Sequence, residues 1–128
     1  MPLRASLAAM RLCPALALTV WLAGPAVAAP ADVVAAKVTA EAGGTWRFDV
    51  TVASDETGWD KYADRWEILA PDGTVLAVRE LAHPHVSEQP FTRSLTGVTL
   101  PEGVTALVIR AHDKVEGYGG REMTVTLP

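Results

Sequence analysis

Disulfide chemistry is the first thing this sequence rules out. Its 128 residues include one cysteine, Cys13, and a lone cysteine closes no bridge within its own chain. Basic charge is also scarce, with 11 Lys and Arg against 15 Asp and Glu. That balance argues against nucleic acid and anionic membranes as partners, because both are met by a basic face. There is no run of like charge and no low-complexity tract to mark a disordered tail. Beyond residue 28, apolar residues do not recur with the period of a helix.

What is present begins at the N-terminus. Arg4 and Arg11 accompany an apolar run over 12–22, and Ala26-Val27-Ala28 supplies a small-x-small exit. This is the build of a secretory signal peptide, expected over 1–28. Cleavage is expected after Ala28, since a cut after Ala29 would put Pro30 directly behind the scissile bond. The apolar run is shorter than the roughly 20 residues a permanent span needs. Met10-Arg11-Leu12 lacks the small residues that precede a lipidated cysteine, so Cys13 reads as apolar filler that leaves with the leader. The expected working protein is a single domain, 29–128, that is periplasmic or secreted and has no membrane contact after cleavage. The leader takes two basic residues and no acidic ones, which leaves a net charge of −6. A domain of about 100 residues can bury a core without staples.

Alternation with a period of two recurs through that domain. Trp46, Phe48, Val50 and Val52 share one face, and Arg47, Asp49 and Thr51 the other. Leu107, Ile109 and Ala111, and again Met123, Val125 and Leu127, repeat the pattern. Seven strands are predicted, at 33–40, 45–52, 65–70, 74–81, 91–95, 105–112 and 122–127. Ala70-Pro71-Asp72-Gly73 and Leu100-Pro101-Glu102-Gly103 are matching turn sequences, with proline presetting φ at the second position. Seven short strands with regular turns predict an all-β, antiparallel sandwich of the Ig-like or fibronectin-III-like kind.

Several runs carry a resemblance: Trp66-Glu67-Ile68-Leu69, Pro71-Asp72-Gly73, His83-Pro84-His85, Glu88-Gln89-Pro90-Phe91-Thr92-Arg93, Arg110-Ala111-His112-Asp113 and Gly117-Tyr118-Gly119-Gly120. Together they resemble an uncharacterised family of small exported proteobacterial proteins with an Ig-like or fibronectin-III-like domain. The resemblance spans roughly the last 70 residues and implies no catalytic residues. Val108 to Asp113, with the Gly-rich loop behind it, is also similar to the penultimate strand of many extracellular Ig-like modules, which mostly bind, space or scaffold.

If successive strands run antiparallel, the turns at 41–44, 71–73 and 99–104 gather at one end and the longer loops 53–64, 82–90 and 113–121 at the other. The second end collects all three histidines together with Trp59, Asp60, Tyr62, Glu88 and Tyr118. Binding residues favour loops held by a rigid scaffold, so function is expected there, toward a protein or small ligand. In an extended backbone His83 and His85 project to one side and could address one zinc or copper ion, with His112 or Glu88 completing the shell. The plainer expectation is that these histidines bond to backbone carbonyls or neighbouring carboxylates. Trp59, Tyr62 and Tyr118 could form a stacking platform for a sugar or peptide, with Asp60 beside them. Here the plainer expectation is that Trp59 folds over the core edge while the acids solvate the loop.

The carboxylate spacing of 54–62 does not fit a calcium loop. Gly117-Tyr118-Gly119-Gly120 leads into a strand, with no helix N-terminus behind it for a phosphate. Ser87 stands near His85 without a nucleophile elbow or an orienting acid. No enzyme and no obligatory cofactor is expected. Arg79, Arg93 and Arg110 lie on strands, with Glu67 and Glu80 available for exposed cross-strand pairs, each worth about 0–1 kcal/mol.

Overall fold

The alternation builds two antiparallel sheets in a computed structural model that describes Pro14, Ala17 and residues 28–128. Except for those two residues and Ala28, the expected leader lies outside the described residues, as does Cys13. The strands are β1 (Asp32–Ala40), β2 (Trp46–Ala53), β3 (Ala63–Leu69), β4 (Val75–Glu80), β5 (Phe91–Val98), β6 (Ala106–Asp113) and β7 (Met123–Thr126). One sheet has the order β1-β2-β5 and the other β4-β3-β6-β7. Residues 28–128 thus form an all-β, seven-stranded antiparallel sandwich. No helix among the described residues is long and apolar enough to cross a membrane.

Period two decides which side chains meet between the sheets. Phe48, Val50 and Val52 from β2 face Trp66 and Ile68 from β3 and Leu107, Ile109 and Ala111 from β6. Each large apolar side chain removed from water contributes about 1.5–3 kcal/mol. Trp66 is fully buried, whereas Trp46 is only part-buried at the rim of the same core. The edge strands close the sandwich with polar contacts. Arg79 Nε, on β4, donates to the Ser94 carbonyl of β5 at 2.8 Å, and the Val33 amide donates to the Arg121 carbonyl at 2.8 Å.

The first predicted turn closes as the sequence requires, while the second is shifted by one residue, the Val104 amide donating to the Pro101 carbonyl at 3.3 Å. The Gly73 amide donates to the Ala70 carbonyl at 2.9 Å, with Gly73 at φ 90°, a value that favours glycine. Two strand boundaries differ from the prediction by more than one residue. β5 runs on to Val98, and β3 begins two residues early, at Ala63. The early start follows from a β-bulge. Ala63 pairs with Asp113 and Arg65 with His112, which leaves Asp64 as the extra residue. Pattern reading misses such an insertion because it breaks the alternation that defines a strand.

Candidate functional site

The three long loops meet at one end of the sandwich, and buried polar side chains tie them together. Glu56 is the centre of the first knot. Its side chain is fully buried; its Oε1 accepts the His85 amide at 2.6 Å and its Oε2 the Ala63 amide at 3.2 Å. The Ser54 hydroxyl also donates to Oε2. The Ser54 amide in turn donates to Gln89 Oε1 at 2.9 Å. One carboxylate and one amide side chain thus fasten loop 54–62 to loop 82–90.

The second knot is an ion pair. Lys61 Nζ lies 2.6 Å from Asp113 Oδ2, with the aspartate side chain wholly buried. Asp113 Oδ1 accepts the Val115 and Glu116 amides at 2.8 and 2.9 Å. Lys61 also donates to the Ala29 carbonyl at 3.2 Å, which holds the chain entering β1. Burial is the largest influence on the Asp113 carboxyl and works to raise its pKa. The Lys61 ammonium and the two amides overcome it, so the group is held below the ordinary carboxylate range.

A third cluster lies on the outer face of the four-stranded sheet. The glycine loop folds back so that Tyr118 covers Arg110, with the guanidinium carbon 3.8 Å from the ring centre. The Tyr118 hydroxyl donates to Glu67 Oε1 at 2.6 Å and accepts from Arg65 at 3.0 Å. Arg65 and Arg110 both pair with Glu67, at 3.0 and 2.9 Å. Glu67 is therefore buried, which corrects the expectation of an exposed strand pair: the loop covers it. Its burial pushes its pKa up, but Tyr118, Arg110 and Arg65 outweigh that and hold the carboxyl low. Gly117 makes the fold-back possible, taking φ 69° while exchanging both backbone bonds with Asp113.

The structure separates the residues predicted to bind. His83 and His85 do come together, with ring centres 4.5 Å apart. His112 does not join them. Its Nδ1 lies 2.6 Å from Asp64 Oδ1, and its ring meets Tyr118 at 4.7 Å. Since a carboxylate only accepts, the proton of that bond is assigned to Nδ1. Glu88 pairs with Arg93 at 3.3 Å. Neither His112 nor Glu88 therefore completes the expected shell around His83 and His85, and among the described residues no three His, Cys, Asp or Glu side chains are grouped to hold an ion. His83 Nδ1 sits 3.0 Å from the Pro84 carbonyl, as the plainer expectation had it. His85 breaks that expectation, because it is buried with neither ring nitrogen bonded.

Trp59 corrects a second expectation. It does not fold over the core edge but stands 62% exposed. It meets Tyr62 edge-on at 5.7 Å, and Lys114 Nζ grips its carbonyl at 2.9 Å. Tyr118 is occupied elsewhere, so the expected three-ring platform reduces to the Trp59–Tyr62 pair. Asp60 is exposed beside it. Val86 and Val115, each on a different long loop, are also more than half exposed. An open cleft of about 350 Å³ lies nearby, lined by Asp32, Ser54, Asp55 and Gln89 among others. None of the eight predicted site residues lines it. Sequence reading assigned no role to Glu56, Lys61 or Asp113, because a charged residue in a loop or at a strand end is ordinarily solvated.

Comparison with known proteins adds one relative. The chain is 44% identical over 95 residues to a "Putative lipoprotein" of Halomicrobium mukohataei, a match covering 74% of this chain and 46% of that protein. The chain thus spans about half the length of the relative it matches. That organism is a halophilic archaeon, outside the bacterial group of the sequence resemblance. No family model matches the chain, and no solved structure matches it.

Proposed function

We propose that this chain is an exported, non-catalytic module that contacts another protein through the long-loop end of its sandwich. One observation carries the reading. The buried carboxylates of that end and Lys61 are bonded and hold the loops, while Trp59, Val86 and Val115 stay exposed, one on each loop. Loops fixed in advance lose little entropy on binding, and a rigid, displayed indole is the type of side chain that anchors protein interfaces. The same loops carry the exposed acids Asp55, Asp60, Glu88 and Glu116. They suit a partner with a cationic rim and oppose nucleic acid or an anionic bilayer. Export is supported by the leader-like first 28 residues and by the lipoprotein name of the archaeal relative. The metal and carbohydrate alternatives have no comparable observation behind them.

Site-specific photo-crosslinking in the producing cell tests this. A crosslinker at Val115 is expected to give a discrete protein adduct that Trp59→Ala abolishes and added salt weakens. A crosslinker at Asp72, in the opposite turns, is expected to give none. Equal crosslinking from both ends, or none from Val115, would overturn the reading.

A further inference from the structure

His85 is the one side chain at this end whose burial lacks a polar reason. Its side chain is 3% exposed, and both ring nitrogens are enclosed without a partner among the described residues. The ring lies flat on Phe91, with centres 4.0 Å apart and planes 12° from parallel. A neutral imidazole tolerates this site as an aromatic plate; an imidazolium would bring two charged N–H donors with no acceptor in place.

Its surroundings do not supply one readily. Glu56 Oε1 is 4.0 Å from Nδ1, but that carboxylate already accepts the His85 and Ala63 amides and the Ser54 hydroxyl. Turning it toward the ring would leave those donors unpaired. Glu88, on the same loop, is taken by Arg93 of β5, and both Arg93 and His83 oppose a further positive charge. Stacking on Phe91 gives an imidazolium some cation–π attraction, but that is weaker than the loss of water from two charged donors. Burial, then Arg93 and His83, lower the His85 pKa below the ordinary histidine value, with Glu56 and Glu88 pulling the other way.

His85 is also where the loop is tied down. Its amide goes to Glu56, and its carbonyl accepts from the Glu88 amide at 3.3 Å and from Gln89 Nε2 at 3.0 Å. Gln89 in turn holds Ser54. We infer that loop 82–90 is an acid-opened latch: protonation of His85 drives its ring off Phe91, breaks the bonds the loop makes through that residue, and disorders the Val86 side of the loop end. As regulation of a binding face the latch rests on the proposed function, but its opening needs no partner.

The test is an NMR pH titration of the protein alone, from pH 7.5 to 5, following amide protection at Glu88 and Ser54 against Leu107 and Ile109 in the core. The wild type is expected to lose at least tenfold protection at the two loop amides, in step with titration of the His85 ring, while the core amides keep theirs. His85→Phe retains an aromatic plate and is expected to remove the transition; His83→Asn is expected to leave it. If that phenylalanine variant fails to fold, the coincidence of ring titration and loop opening in the wild type still decides. Unchanged loop protection to pH 5, or an unaltered transition in His85→Phe, would overturn the latch. Because no partner is present, either result leaves the binding face to the crosslinking test.

Discussion

Three single residues separate the work of holding the loop end from the work of presenting it. Asp113 holds. Asp113→Ala would strand the Lys61 ammonium, only 10% exposed, and free two amides. A loss of about 3–5 kcal/mol is expected in urea unfolding, the usual result of breaking one side of a buried pair. Tyr118 clasps. Tyr118→Phe removes the hydroxyl shared by Glu67 and Arg65 while keeping the ring over Arg110. A loss of about 1–2 kcal/mol is expected, at the low end for bonds to charged groups because Tyr118 is partly in water. Trp59 presents. Trp59→Ala removes no bond from the knots and is expected to change unfolding stability by less than about 0.5 kcal/mol, while abolishing the adduct at Val115.

Elements were legible in the sequence where period and turn chemistry agreed. β2 and β6 alternate cleanly, the Pro-Asp-Gly turn closes as its residues require, and all seven strands fall where predicted to within a few residues. The convergence of the three long loops also followed, because successive strands that alternate in direction leave no other place for them. The Asp64 bulge did not, since one inserted residue looks like a broken pattern until its partner strand is known. The knots were hidden for a related reason. Lys61 and Asp113 are 52 positions apart, and nothing local marks either as buried. Gly120 shows how tightly the elements meet: a Cβ there would lie 1.9 Å from the Ala31 carbonyl oxygen. Gly120→Ala is therefore expected to push the β7 approach off β1, at a cost of about 1–3 kcal/mol or more, visible as lost exchange protection of the Val33 amide.

For the molecule as a whole, the buried groups set how stability depends on pH. His85 is neutral in the fold and has a lowered pKa, so the unfolded chain binds its proton first. Stability is therefore expected to fall as pH drops below about 6.5, the ordinary histidine value, and to keep falling to the folded pKa. Asp113 and Glu67 are held low in the fold. Their contribution is present above about pH 4 and is lost as pH falls further through their folded values. Urea midpoints taken from pH 8 to 3 should show both declines, with His85→Phe removing only the upper one.

The loop end is fixed from within before any partner arrives, and native-state hydrogen exchange at pH 7.5 tests that most directly. The amides of Ala63, His85, Val115 and Glu116 all donate to buried carboxylates. They are expected to be protected at least a hundredfold over free-chain exchange, approaching the neighbouring strands. Exchange at free-chain rates in all three loops, beside a protected β2 and β6, would mean that the loop end is not pre-formed.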